Sequence, residues 1–135
     1  MDYLRVVLAA FAAFIVYMAL GALLFTRRTM RAEFQKYPAV YRSQESMKAV
    51  MPIGMVGMFL SMLALAALFA RIHPEGAPLI AGMKYGAVIG VFSIGSFVLH
   101  NHVNLNIGGR LTALQAVAYF VEWLAVGVVI AAVYR

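Results

Sequence analysis

The sequence predicts an all-α membrane protein, a bundle of four transmembrane helices forming a single domain. Three observations predict it. Apolar residues make up 64% of the 135-residue chain and charged residues 12%, against about 45–50% and about 25% in ordinary soluble domains. A soluble domain this small could not hide so much apolar surface, whereas lipid accepts it as solvent. Four apolar runs, residues 6–26, 49–70, 78–99 and 111–134, each reach the roughly 20 residues a helix needs to cross a bilayer. Basic residues also gather in one place, between the first and second runs. The net charge of +6 would suggest a nucleic-acid partner in a soluble chain. Here the position of the charges points to membrane topology instead, and no nucleic acid is expected.

The first run carries no charge. Arg27 and Arg28 follow it where a cleaved leader would show small residues, and it is longer than a leader's apolar core, so no cleavage is expected. The link 27–48 holds Arg27, Arg28, Arg31, Lys36, Arg42 and Lys48 against Glu33 and Glu45. Met30, Phe34, Tyr37 and Tyr41 lie among these bases. Two readings fit: a short amphipathic helix on the inner leaflet with its bases near anionic lipid headgroups, or a solvated basic loop that sets topology. The second run is uncharged and ends in the turn-like cluster His73-Pro74-Glu75-Gly76. Lys84 interrupts the third run and is placed to snorkel toward headgroups. The polar stretch HNHVNLNIGGR, residues 100–110, leads to the fourth run. With four crossings, the links 27–48 and 100–110 share a side and hold seven Lys/Arg. The other side holds four, Arg5, Arg71, Lys84 and Arg135. Positive residues favour the cytoplasm, which puts both termini outside and the basic link inside.

The chemistry concentrates on Glu122, the one charge in the fourth run. A carboxylate at that depth costs about 2.5 kcal/mol or more to insert, so it must be neutral, hydrogen-bonded or facing water inside the bundle. Helical periodicity places Thr112, Gln115, Tyr119 and Glu122 on one face. In the third run Gly82, Gly86, Ser93, Ser96 and His100 share another, with Gly90 at its margin. Packing the two stripes together would aim Glu122 at the glycine and serine side of the third helix. It would line a polar ligand site with Glu122, Tyr119, Gln115, Ser93, Ser96 and His100. A carboxyl that only locks packing, and one paired with Lys84, are the competing readings. The glycines could serve packing within or between chains, so a homo-oligomer or larger membrane complex is expected.

In the second run Met47, Met51, Met55, Met58 and Met62 form a narrow stripe. Five thioethers in line could pass Cu(I), or give an adaptable packing surface or a greasy ligand groove. The spacing resembles copper permeases of the Ctr type, which however have three helices and Met-rich outer segments. His100 and His102 lack a nearby third ligand, so no metal site or cofactor is expected. The only Asp is Asp2, there is no cysteine, and no phosphate loop appears. No catalytic constellation is expected either.

The stretches YPAVYRSQESMKAVMP, MKYGAVIGVFSIGSF, HNHVNLN and YFVEWLAVG are similar to small bacterial inner-membrane proteins with four helices and no assigned function. The resemblance implies a multi-pass protein of the bacterial inner membrane and transfers no activity. The small multidrug resistance family also combines four helices with a membrane glutamate, but carries it in the first helix rather than the fourth. The expected function is non-enzymatic: binding of a small or hydrophobic ligand, or service as an accessory subunit, around Glu122. The alternatives are a proton-coupled transporter using Glu122 and a Cu(I) conduit using the methionines.

Overall fold

The structure, a computed structural model, describes residues 1–72 and 75–135, apart from the side chain of Gln44. His73 and Pro74 of the expected turn cluster lie outside the described residues. The regular structure of the described residues is all helical, and four of its helical stretches are long and apolar enough to cross a membrane: Tyr3–Phe25, Glu45–Ile72, Pro78–Asn104 and Gly109–Tyr134. The chain is a multi-pass membrane protein whose helices contact the lipid bilayer.

Helix α1 (Tyr3–Phe25) begins before the apolar run because Asp2 caps it, its side chain accepting from the Arg5 backbone N–H at 3.1 Å. A capping oxygen satisfies one of the orphan donors of a first turn. The Arg5 guanidinium then donates to the Tyr134 and Arg135 carbonyls at 3.4 and 3.3 Å, tying the two termini together. Ala9, Ala10 and Ala13 are fully buried, and these small side chains let α1 lie close on α6 (Gly109–Tyr134). Helix α6 is the centre of the bundle, packed between α1 and α4 (Pro78–Ser93).

The α4–α6 contact is made of backbone. A Cβ added at Gly82 would sit 2.7 Å from the Val128 Cα, and one at Gly90 would sit 2.8 Å from the Phe120 ring. One at Gly127 would sit 2.7 Å from the Gly86 Cα. The third-helix glycines therefore pack within the chain. After Ser93 the helix widens into a π-turn segment, Ile94–Leu99, and continues as α5 (His100–Asn104). The polar turn expected from residue 100 thus starts later. The Asn104 amide donates to the His100 carbonyl at 2.8 Å, and the chain turns extended only at Leu105.

Helix α3 (Gln44–Ile72) starts after Ser43, whose hydroxyl accepts from the Ser46 N–H at 3.2 Å. Its second half is anchored: Met62, Ala66, Phe69 and Ala70 are buried, and the Tyr85 hydroxyl donates to the Leu65 carbonyl at 2.7 Å. Its first half stands apart. Residues 51–57 are exposed on every face, and a Cβ at Gly54 or Gly57 would meet nothing within 4 Å among the described residues. Pro52 lies at the start of this stretch and removes one helical hydrogen bond. The methionine stripe straddles both halves: Met47, Met51 and Met55 are exposed, Met58 is half-buried, and Met62 is buried.

The basic link folds as helix α2 (Arg28–Phe34) and a run of turns. The amphipathic helix forms, but its apolar side is covered by protein rather than by the leaflet. Met30 is buried with Ile107, Leu111 and Ala118, and Phe34, Tyr37 and Tyr41 pack around them. Arg27, Arg28 and Arg31 stay exposed. Glu33 is 4% exposed and holds Lys36 at 2.7 Å and Arg110 at 3.3 Å, latching α2 to the start of α6. The two cations are mostly solvated, so removing them and removing the acid differ in effect. Lys36→Met with Arg110→Met leaves a buried carboxylate uncompensated and should cost roughly 1–3 kcal/mol. Glu33→Gln leaves only solvated cations and should cost about 1 kcal/mol or less. Thermal unfolding of the detergent-purified variants should show that order, and no loss of stability in either variant would mean that the latch carries no load.

Candidate functional site

Glu122 is completely buried, and both carboxyl oxygens lack a hydrogen-bond partner among the described residues. Its neighbours come from α1. A Cβ at Gly21 would sit 2.9 Å from Oε1 of Glu122, so the missing side chain of Gly21 makes the room that the carboxyl occupies. Tyr17, one turn earlier on α1, and Tyr119, one turn earlier on α6, are both within electrostatic reach of the carboxyl. Tyr17 also lies against Trp123, ring centroids 5.3 Å apart. Tyr119 is wedged between Phe25 of α1 and Phe97 of the π-turn segment, at 5.2 and 5.4 Å.

The glutamate therefore does not face the glycine and serine side of the third helix, as the stripe argument expected. The reason is steric. Gly82 and Gly86 demand a partner surface with no side chain, and Gly127 supplies it. Gly127 is five positions after Glu122, which is about 140° of rotation round a helix. Once Gly127 faces α4, Glu122 is turned away toward α1.

The polar stripe of α6 is nevertheless continuous and covered. Thr112, Gln115 and Glu122 are buried and Tyr119 is half-buried. The Gln115 amide donates to the Tyr41 hydroxyl at 3.5 Å. Burial pushes the Tyr41 phenol above its usual range, and the Gln115 contact partly offsets that. The Thr112 hydroxyl meets Nδ1 of His102 at 2.9 Å, and the Tyr37 hydroxyl accepts from the Gly108 N–H at 2.9 Å. A polar column thus leads from Glu122, past Tyr119 and Gln115, to the end of the bundle that carries the basic link.

The six expected ligand-lining residues divide. Glu122, Tyr119 and Gln115 lie along this column. Ser93 and Ser96 line a separate lipid-side groove between α3 and the third span. His100 is exposed, and the polar contact of its neighbourhood is made by His102 instead. Tyr17, Gly21 and Tyr41 were not anticipated. A tyrosine and a glycine four residues apart in an otherwise apolar span are the signal that would have found the first two. Met47, Met51, Met55 and Met58 line a second groove with Tyr17 and Met18, open to lipid. Among the described residues, no cluster of three or more His, Asp or Glu could hold a metal ion. No family model, curated protein or solved structure matches the chain.

Proposed function

We propose that the chain is a non-enzymatic protein of the bacterial inner membrane, both termini outside, that binds a small or hydrophobic ligand at Glu122. The observation that carries this reading is the fully buried Glu122 whose two oxygens find no partner. A purely structural carboxyl would be expected to bond a hydroxyl or a carbonyl, because an unsatisfied buried polar group is costly. Intramembrane acids are functional by default. A ligand donor entering between Tyr17, Gly21 and Tyr119 would supply the missing partner. The exposed Arg27, Arg28 and Arg31 would sit among anionic headgroups.

The test uses dicyclohexylcarbodiimide, a membrane-soluble reagent for carboxyl groups in apolar surroundings. In intact membranes it should modify Glu122, as read by mass spectrometry, and Glu122→Gln should abolish the product. The lipophilic cation tetraphenylphosphonium should slow the modification several-fold. If Glu122 stays unmodified in folded protein, the site is closed to ligands and the proposal fails.

The covered column favours one second reading, proton-coupled transport. Tyr119, Gln115 and Tyr41 give hydroxyl and amide groups along a path from Glu122 to the membrane surface. Proteoliposomes should then accumulate tetraphenylphosphonium against an imposed pH gradient, and Glu122→Gln should not. No uptake would leave binding without transport.

A further inference from the structure

Glu122 needs a positive partner that the chain does not supply. Both carboxyl oxygens are unpartnered, and no Lys, Arg or His pairs with Glu122 among the described residues. Lys84 is exposed on α4. A charge buried alone costs several kcal/mol, and an opposite charge that also donates hydrogen bonds offsets that cost. A neutral donor would bond the oxygens but leave the charge. A metal ion would need more ligands than one carboxylate, and no group of three His, Asp or Glu occurs among the described residues. The missing partner is therefore an organic cation that carries N–H. The rings of Tyr17 and Tyr119 lie within electrostatic reach of the carboxyl, and ring faces attract cations.

The groove between α1 and the first half of α3 supplies room for the rest of the molecule. Its volume is about 320 Å³, within the range of small-molecule sites of about 300–1,000 Å³. Met18, Met47, Met51, Met55 and Met58 line it together with Tyr17, and no charged residue does. Flexible, polarizable thioethers shape themselves to varied apolar ligands. Met47, Met51 and Met55 are exposed, so the groove fills from the bilayer. Tyr17 is common to groove and site: it lines the one and reaches the carboxyl of the other electrostatically. Depth agrees. Met58 and Glu122 both stand near the middle of their helices, Gln44–Ile72 and Gly109–Tyr134, so the deep end of the groove and the carboxyl share a level. Met47 is eleven positions before Met58, about 16 Å along a helix, which leaves length for a chain lying toward the basic link.

We infer that the ligand at Glu122 is a hydrophobic amine in its ammonium form, its N–H donating to the Glu122 carboxylate past Tyr17 and its apolar tail lying in the methionine groove. This rests on Glu122 being a ligand site, and adds the ligand's class and the place of its tail. Gly54 lines the groove, and a Cβ there meets nothing within 4 Å among the described residues. A larger side chain at that position fills the groove without a clash at its root.

The probe is radiolabelled N,N-dimethyldodecylamine, with the protein in nanodiscs of zwitterionic lipid and empty nanodiscs as background. At neutral pH it should bind saturably, one per protein. Dodecyltrimethylammonium keeps the charge and the tail but has no N–H. It should compete about ten-fold more weakly or worse, the worth of one charge-assisted hydrogen bond. Glu122→Gln should abolish the saturable binding. Gly54→Leu of native helix content should weaken it several-fold. Gly95→Leu, also with open space around its new Cβ but outside the groove, should not. Any one of four results would overturn the inference: no amine retained above empty nanodiscs, equal competition by the two ammonium ions, binding kept by Glu122→Gln, or binding unaltered in Gly54→Leu. If Glu122 still reacts with dicyclohexylcarbodiimide in the parent, such a result leaves it as a ligand site for another class of molecule. A Glu122 that stays unmodified in the folded protein removes both.

Discussion

Glu122→Leu stabilises the purified protein while abolishing its reaction with dicyclohexylcarbodiimide. The expectation follows from the two unpartnered oxygens. A buried polar group without partners costs about 1–3 kcal/mol, and an apolar side chain of similar volume removes that cost without opening a cavity. Thermal unfolding in detergent should therefore move upward by several degrees. Glu122→Gln should change stability little, because it keeps shape and polarity. Gly21→Ala tests the same space from the opposite helix. Its Cβ would sit 2.9 Å from Oε1, against the end of a side chain that can shift. The fold should survive and the carboxyl should be displaced, lowering the rate of modification. Were Glu122 a packing lock, the signs would reverse: Leu would destabilise, and the carboxyl would be unreactive in the folded protein. Stability gained where function is lost is the usual mark of a site held at the expense of the fold.

The fold was legible because lipid imposes a simple constraint. Every backbone group must bond within its own helix, so run length and charge alone located four spans. The structure moves their ends mainly where polar residues extend a helix beyond its apolar run, as at His100–Asn104. The covered stripe of Thr112, Gln115, Tyr119 and Glu122 was also legible, because helical spacing fixes which residues share a face. What that face meets was not. Periodicity gives the direction of a residue on its own helix but not the rotation of that helix against its neighbours. The rotation is set by backbone contact between Gly82, Gly86 and Gly127, and in the sequence Gly127 is only one small residue in an apolar run. The same gap hid Tyr17 and Gly21. Each is unremarkable alone, and both become meaningful only when α1 rather than α4 is known to face Glu122.

Gly127→Val should separate α4 from α6 and is expected to be among the most damaging single changes in the spans. At Gly127 an added Cβ would lie 2.7 Å from the Gly86 Cα and also meet the Gly82 carbonyl and the Gly86 nitrogen. These are backbone atoms, so no rotamer can relieve the clash and one helix must move. Overpacking of a rigid contact costs about 1–3 kcal/mol or more. Valine should reach the upper end, about 3 kcal/mol, and Gly127→Ala should fall below it. The interface is held by close packing in a solvent as apolar as the helices themselves, so separation forfeits much of what joins α4 to α6. Gly57→Ala is the matched control: the same residue type in a span, with nothing within 4 Å of the new Cβ. Relief of glycine's backbone entropy should make it neutral, or stabilising by about 0.5–1 kcal/mol. Unfolding of the two variants in one detergent decides the point. Equal sensitivity would mean that the glycines matter for helix flexibility rather than for contact. The rotation that turns Glu122 toward α1 would then have no steric cause.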